Sequence, residues 1–218
     1  MPSDGPLILS FDTSAAHCAA ALLCGDTLLA ARREEMPRGQ AERLVPLLEE
    51  LLAEAGRTWA NLDALAVGVG PGNFTGIRIS VALARGLALG LKVPVLGVTG
   101  FDVLAEGQPR PVLATLPAPR GQVYAQLVTE DGAETSAAEP QLCPAEDLPA
   151  QAPGTALLGA APGATPGPGN PAPALARIAA RRLVAAKAAG TPLPAPAPFY
   201  LRPADAAPPR DAPPRILP

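Results

Sequence analysis

Apolar positions follow two periods along the first half of the chain. "LILSFDTS", "HCAAALLCGD" and "TLLAARREE" are short apolar-rich runs separated by polar turns at 12–14 and 24–26, the pattern of sequential strands in an antiparallel meander. "QAERLVPLLEELLAEAG" then changes period. Apolar residues at 41, 44, 45, 48, 51, 52 and 55 repeat as one face of a helix, with Gly56 as its stop. Pro46 inside that run removes one backbone hydrogen bond and is expected to bend the helix near its first turns. "LDALAVGVG" reads as a buried strand, "FTGIRISVALARGLALGL" as a second helix rich in small residues, and "VPVLGV" as another strand. "TGFDVLAEG" reads as a helix opening on Thr99 as N-cap. The order over residues 1–107 is βββαβαβα.

A second, weaker set follows. "RPVLATLPA", "GQVYAQLVTEDG", "EPQL" and "GTALLGA" read as strands, "CPAEDLPA" as a short helix, and "ALARIAARRLVAAKAAG" as a helix ending at Gly190. The pattern predicts an α/β chain of two related lobes. The first is 1–107; a smaller, degenerate one is 108–200, with a Pro/Gly-rich linker near 161–173; an extended Pro-rich tail is 201–218. Proline supports this division, because 19 of the 29 prolines fall at or after Pro140, which favours loops over continuous sheet there.

Charge and cysteine content narrow the classes. A net charge of −3 argues against the chain alone being the main grip on a nucleic-acid backbone. Three cysteines, Cys18, Cys24 and Cys143, without CxxC spacing argue against a disulfide framework and for a reducing cytoplasm. The opening "MPSDGPLILSFD" lacks the basic-then-apolar order of a signal peptide, and no apolar run approaches a membrane span of about 18 residues. A cytoplasmic protein without a membrane segment is expected.

The single histidine, His17, excludes HExxH and leaves no GxSxG context for a nucleophile, so it is read as a structural or surface residue. Asp12 and Thr13 in "FDTS" close the first strand, either as a phosphate or metal-water contact or as an Asx-type turn. "GPGNFTG" has GxGxxxG spacing, which is neither the dinucleotide fingerprint nor a P-loop. Its helix start, with Asn73 or Thr75 as cap and Arg78 one turn on, suits an anion. Gly70, Gly72 and Gly76 equally suit a tight turn packed on "FDTS". Both readings stay open. So does the role of the two long helices, whose apolar residues serve either the monomer core or a subunit interface.

"ILSFDTS", "QAERLVPLLEELL", "LDALAVGVGPGNFTGIRISVALARGLALGLKVPVLGVTGFDVLA", "GQVYAQL" and "FYLRPADA" fall in the order seen in the TsaB family, also called YeaZ, which this chain resembles. The resemblance is strong over 7–107 and patchy beyond. It implies a two-lobed actin/Hsp70/sugar-kinase-like fold. It also implies a non-catalytic subunit of the bacterial machinery that makes N6-threonylcarbamoyladenosine at position 37 of tRNA. The paralogue TsaD would be its heterodimer partner and the ATPase TsaE would join the pair. A homodimer would form when TsaD is absent, and tRNA would be met only through the complex.

The partner surface expected from the resemblance is the helices at 40–56 and 75–91, through Leu44, Leu48, Leu51, Leu52, Val81, Ala84, Leu87 and Ala88. Asp12, Thr13, Gly70, Gly72, Thr75 and Arg78 would be a vestigial phosphate-binding set. No catalytic residue, no metal and no cofactor held by the isolated chain are expected, while ATP is used by the complex. "TLPAPRGQVY" retains only Arg120 where relatives often carry an acid and paired arginines, and "QAER" stands where many have "HSER". The alternative is a stand-alone ATP-dependent kinase or ATPase of the same fold, and a metallopeptidase is weaker still. Against the kinase, that second-lobe segment has no DxG-like turn and no base.

Overall fold

A computed structural model describes residues 5–129 and 139–201. The first lobe runs β1 (Leu7–Asp12), β2 (His17–Cys24), β3 (Thr27–Glu35), α1 (Gln40–Glu54), β4 (Ala64–Gly68), α2 (Phe74–Leu91), β5 (Val95–Val98) and α3 (Gly100–Ala105). Its five strands lie in the order β3-β2-β1-β4-β5, with the meander antiparallel and β1-β4-β5 parallel. The second lobe supplies β6 (Val112–Pro117), β7 (Gln122–Val128), β8 (Gln141–Pro144) and β9 (Ala156–Gly159), in the order β8-β7-β6-β9. β6 pairs antiparallel with β7 and parallel with β9, as β1 does with β2 and β4. Among the described residues the second sheet therefore repeats strands β3, β2, β1 and β4 of the first and has no counterpart of β5. This is the two-lobed actin/Hsp70/sugar-kinase-like α/β fold with a reduced second lobe.

Alternation along the central strands buries both faces of the first sheet. Leu7, Leu9 and Phe11 of β1 join Cys18, Ala20 and Leu22 of β2 on the face covered by α1 and α2. Ile8 and Leu23 join Ala64, Ala66, Leu96 and Val98 on the other face. That second face is covered by α4 (Ala172–Ala189), through Leu175, Ile178, Ala179 and Leu183. The sequence assigns this helix to the smaller lobe, but its apolar stripe fits the first sheet.

α1 runs unbroken through Pro46, which is exposed, and Gly56 leaves it with φ 63° in the left-handed region. Thr99 caps α3 as expected, its hydroxyl accepting from Asp102 N at 3.1 Å. The helix expected at "CPAEDLPA" does not form: β8 runs to Pro144 and a turn follows. Of the expected tail, residues 202–218 lie outside the described residues, as does 130–132 of the "GQVYAQLVTEDG" run. Residues 191–201 have no regular structure, but Phe199 N donates to Val69 O at 2.8 Å and its ring packs against the cores of both lobes.

α2 is 18 residues long with mean hydropathy 1.4, so it meets a membrane span by length and composition. Gly76, Ile77, Ser80, Val81 and Ala84 are nevertheless buried against the sheet. It is an outer-layer helix whose solvent side combines Ala82, Gly86, Leu89 and Gly90 with two arginines, Arg78 and Arg85.

Candidate functional site

"FDTS" and "GPGNFTG" meet where β1 and β4 end, and they meet by packing. Asn73 N donates to Ser14 O at 2.6 Å, and Thr13 Oγ1 donates to Gly76 O at 2.7 Å. A Cβ at Gly72 would overlap Ser14 O, and one at Gly76 would overlap Thr13 O, so the glycines let two backbones touch. Asn73 is the cap, its Oδ1 accepting from Gly76 N at 3.0 Å. Two donors that a phosphate would use at this helix start are thereby engaged. Gly70, with φ 98°, turns the chain between Ile77 and Phe199.

A cavity of about 500 Å³ lies between the lobes. Asp12, Ser14, His17, Gly68, Gly72 and Asn73 line it from the first lobe, and Pro117, Pro119 and Tyr124 from the second. The Asp12 carboxylate is buried. Its Oδ1 accepts from Ser14 N and Ser14 Oγ, both at 2.9 Å, and meets His17 Nε2 at 2.8 Å. The Asx-type turn is thus realised, with the histidine as a further partner. His17 is 7 % exposed; with Nε2 turned to the carboxylate, its Nδ1 has no partner among the described residues.

The opposite wall holds a second "GPGN", at 167–170, ahead of α4. Asn170 Oδ1 accepts from Ala172 N at 3.0 Å, as Asn73 does for Gly76. The repeated tetrapeptide was the signal for this wall, and the strand pattern alone missed it. Pro171 and Pro173 leave the first turn of α4 short of N–H groups. The cavity thus presents a buried carboxylate beside two helix starts whose asparagine side chains each take a first-turn N–H.

Of the expected phosphate set, only Asp12 and Gly72 line the cavity. Thr75 is exposed elsewhere on α2. Arg78 turns away: its guanidinium lies 3.7 Å from the Phe74 ring centroid, and its Nε donates to Tyr200 Oη at 2.9 Å. Phe74 and Tyr200 stack at 4.8 Å, so this cluster ties the 191–201 segment to α2.

The expected partner surface needs a larger correction. Leu44, Leu48, Leu51, Leu52, Val81 and Ala84 are buried in the monomer core, and Leu87 and Ala88 are half-buried against it. Burying each α1 leucine is worth roughly 1.5–3 kcal/mol to the monomer. The helical period is present in both helices, but the buried stripe belongs to the sheet. On α2 the outward line is Thr75, Ala82, Gly86 and Leu89, with Leu89 82 % exposed. On α1 it is Glu42, Pro46, Glu49 and Ala53. Among the described residues nothing lies within 4 Å of where a Cβ would stand at Gly86 or Gly90.

The flank of α1 toward β3 is charged and closed. Arg43 bridges Glu34 at 2.6 Å and Glu50 at 2.6 Å, and Arg32 bridges Glu50 and Glu54. Hydrogen bonding to Arg43 holds the Glu34 and Glu50 carboxyls below the usual carboxylate range. Burial, then the nearby Glu34 carboxylate, pushes the Cys18 thiol up to about 11.

The family described as "TsaD: tRNA N6-adenosine threonylcarbamoyltransferase" matches residues 34–160. The tRNA threonylcarbamoyladenosine biosynthesis protein TsaB of Escherichia coli (strain K12) is 38 % identical over 122 residues, 54 % of this chain and 52 % of that protein. The chain spans about half the length of the curated relatives it matches. The structure of YeaZ from Pseudomonas aeruginosa is 33 % identical with a TM-score of 0.61, over 70 % of this chain and 74 % of that one. A second crystal structure, of an uncharacterized protein with similarity to peptidase YeaZ from Pseudomonas aeruginosa, is 31 % identical with a TM-score of 0.72. It is covered completely, by 90 % of this chain. Matching a family model over more than half its length, and two solved YeaZ-like structures at 31 % and 33 % identity over most of theirs, the chain belongs to the TsaB (YeaZ) family.

Proposed function

We propose that this protein is a non-catalytic subunit required for N6-threonylcarbamoyladenosine formation at position 37 of tRNA, acting in the cytoplasm by binding and supporting the TsaD transferase. The observation that carries this reading is the solvent side of α2. An 18-residue helix with mean hydropathy 1.4 leaves Ala82, Gly86, Leu89 and Gly90 uncovered, and small residues there let a second helix approach closely. TsaD docks its own helices on this face, and TsaE joins the pair. The same face pairs two copies of the chain when TsaD is absent. Transfer to tRNA is left to TsaD.

The isolated chain binds no nucleotide tightly, and ATP enters through the complex. Support comes from the engaged donors at the start of α2 and from the Asp12 carboxylate in the cavity. Clear calorimetric binding of ATP by the chain alone would instead favour the kinase-like alternative.

The test is threonylcarbamoyl transfer to tRNA by TsaD, measured with and without this chain. Activity should depend on the chain and be lost with Leu89→Arg, which leaves the fold intact. Leu48→Arg is unsuitable for this purpose, because it places a charge in the monomer core and unfolds the chain. Transfer that is independent of the chain would refute the reading.

A further inference from the structure

In "TPLPAPAPFYL", residues 191–201, every position from 191 to 198 is a proline or precedes one. Proline fixes its own φ and pushes the residue before it to extended backbone, so this run is stiff and has a donor only at every second residue. It forms no strand, yet both of its ends are tied to elements of the first sheet's layers. Thr191 N donates to Ala186 O at the end of α4, 3.1 Å away, and Phe199 N donates to Val69 O at 2.8 Å. Between them the chain lies against β5: a Cβ at Gly97 would stand 3.2 Å from Pro196 Cβ.

The last three residues spread over both lobes. Phe199 packs against the apolar cores of both, and Leu201 against that of the second. Tyr200, between them, turns to α2: its ring stacks on Phe74 at 4.8 Å and its Oη accepts from Arg78 Nε at 2.9 Å. The Arg78 guanidinium closes the cluster, 3.7 Å from the Phe74 ring centroid. Two glycines make room for the join. A Cβ at Gly70 would stand 3.2 Å from Phe199 O, and one at Gly100 would stand 2.6 Å from Leu116 Cδ1 on β6. Gly100 and Leu116 both line the cavity, so the lobes touch along its wall.

Lobes swing when the segments that cross between them absorb the rotation at a few backbone positions. The 191–201 segment is badly suited to that. Prolines stiffen it, and a ring shared by two packed cores cannot follow one lobe without leaving the other. We propose that residues 191–201 are a clasp that holds the two lobes at one angle, so that the cavity between them stays open and does not close on a ligand. Phe199 is its pin, and the Phe74–Tyr200–Arg78 cluster is its catch on the surface. A closing motion that shuts water out of a reacting site is then unavailable to this chain. A partner on α2 meets both lobes as one preorganised body.

The experiment measures lobe spacing in the full chain by double electron–electron resonance. Nitroxides are placed on Glu49→Cys in α1 and Glu146→Cys beyond β8, both exposed. Cys143→Ser leaves only the buried Cys18 and Cys24 as native thiols. A pair within the first lobe, Asp26→Cys with Glu49→Cys, reports general loosening, and circular dichroism confirms folding. The clasp predicts one narrow distance across the lobes. Phe199→Ala should broaden it roughly twofold. Tyr200→Ala and Arg78→Ala, which change only the exposed catch, should each broaden it too, while the within-lobe distance keeps its width. A parent distribution as broad as that of Phe199→Ala would overturn the proposal. So would a folded Tyr200→Ala chain as narrow as the parent, and this variant decides the matter if Phe199→Ala does not fold. Equal broadening of the within-lobe pair would also overturn it, as a loss of packing rather than a released clasp. TsaD takes no part in the measurement, so its outcome is independent of the docking reading.

Discussion

Gly86 lies inside α2, on its solvent side, and none of the described residues occupies the space a side chain would take. A glycine in a helix interior costs about 0.8–1.0 kcal/mol relative to alanine, through backbone entropy. Gly86→Ala should therefore stabilise the isolated chain by about 1 kcal/mol. At this size that amounts to a rise in Tm of roughly 2–4 °C. If the position is kept small for close helix approach, the same variant should weaken TsaD binding or self-association, and Gly86→Leu should weaken it further. Urea unfolding gives the first quantity and light scattering or calorimetry against TsaD the second. A destabilised Gly86→Ala chain would refute the propensity argument. A stabilised Gly86→Leu chain with undiminished partner binding would refute the role of this face.

The glycine turn behaves oppositely: Gly76→Ala should destabilise the chain by roughly 1–3 kcal/mol in urea unfolding, because its Cβ would overlap the Thr13 carbonyl, and an unchanged midpoint would contradict the packing described. Glu34 and Glu50 have folded pKa values depressed by Arg43, so their contribution is complete above the unfolded carboxylate range near 4.3 and is lost as pH falls through the lower folded values. Acid unfolding of Arg43→Ala should accordingly show less dependence on pH below that range than the parent. Cys18, with its thiol pushed up to about 11 by burial, should resist iodoacetamide at pH 8 in the folded chain and react on unfolding; labelling of native Cys18 at the rate of a free thiol would contradict its burial.

Much of the fold was legible because each signal has a local cause. The three strands of the meander, the helix that ends at Gly56 and the Thr99 cap follow from period, left-handed glycine and hydroxyl capping, which need no tertiary context. What the sequence hid was which surface each apolar stripe meets. Leu44 to Leu52 have the same spacing whether they face a sheet or a partner, and here the sheet takes them. α4 likewise carries no mark of the lobe it will cover, and β8 ends in "CP", where the acidic turn residues that follow imitate a short helix. In the cavity, Asp12 was singled out from its position at the end of a strand. His17 was set aside because a lone histidine has no motif, although it lies beside Asp12 in space. The paired "GPGN" turns were available to a search for internal repeats.

The central claim is that this chain works by pairing with TsaD. It is tested most directly by light scattering on a sizing column, with the chain alone and mixed with TsaD from its own organism. A heterodimer should replace the homodimer in the mixture, and Leu89→Arg should abolish it while the chain stays folded. No association, with or without ATP and TsaE, would contradict the account.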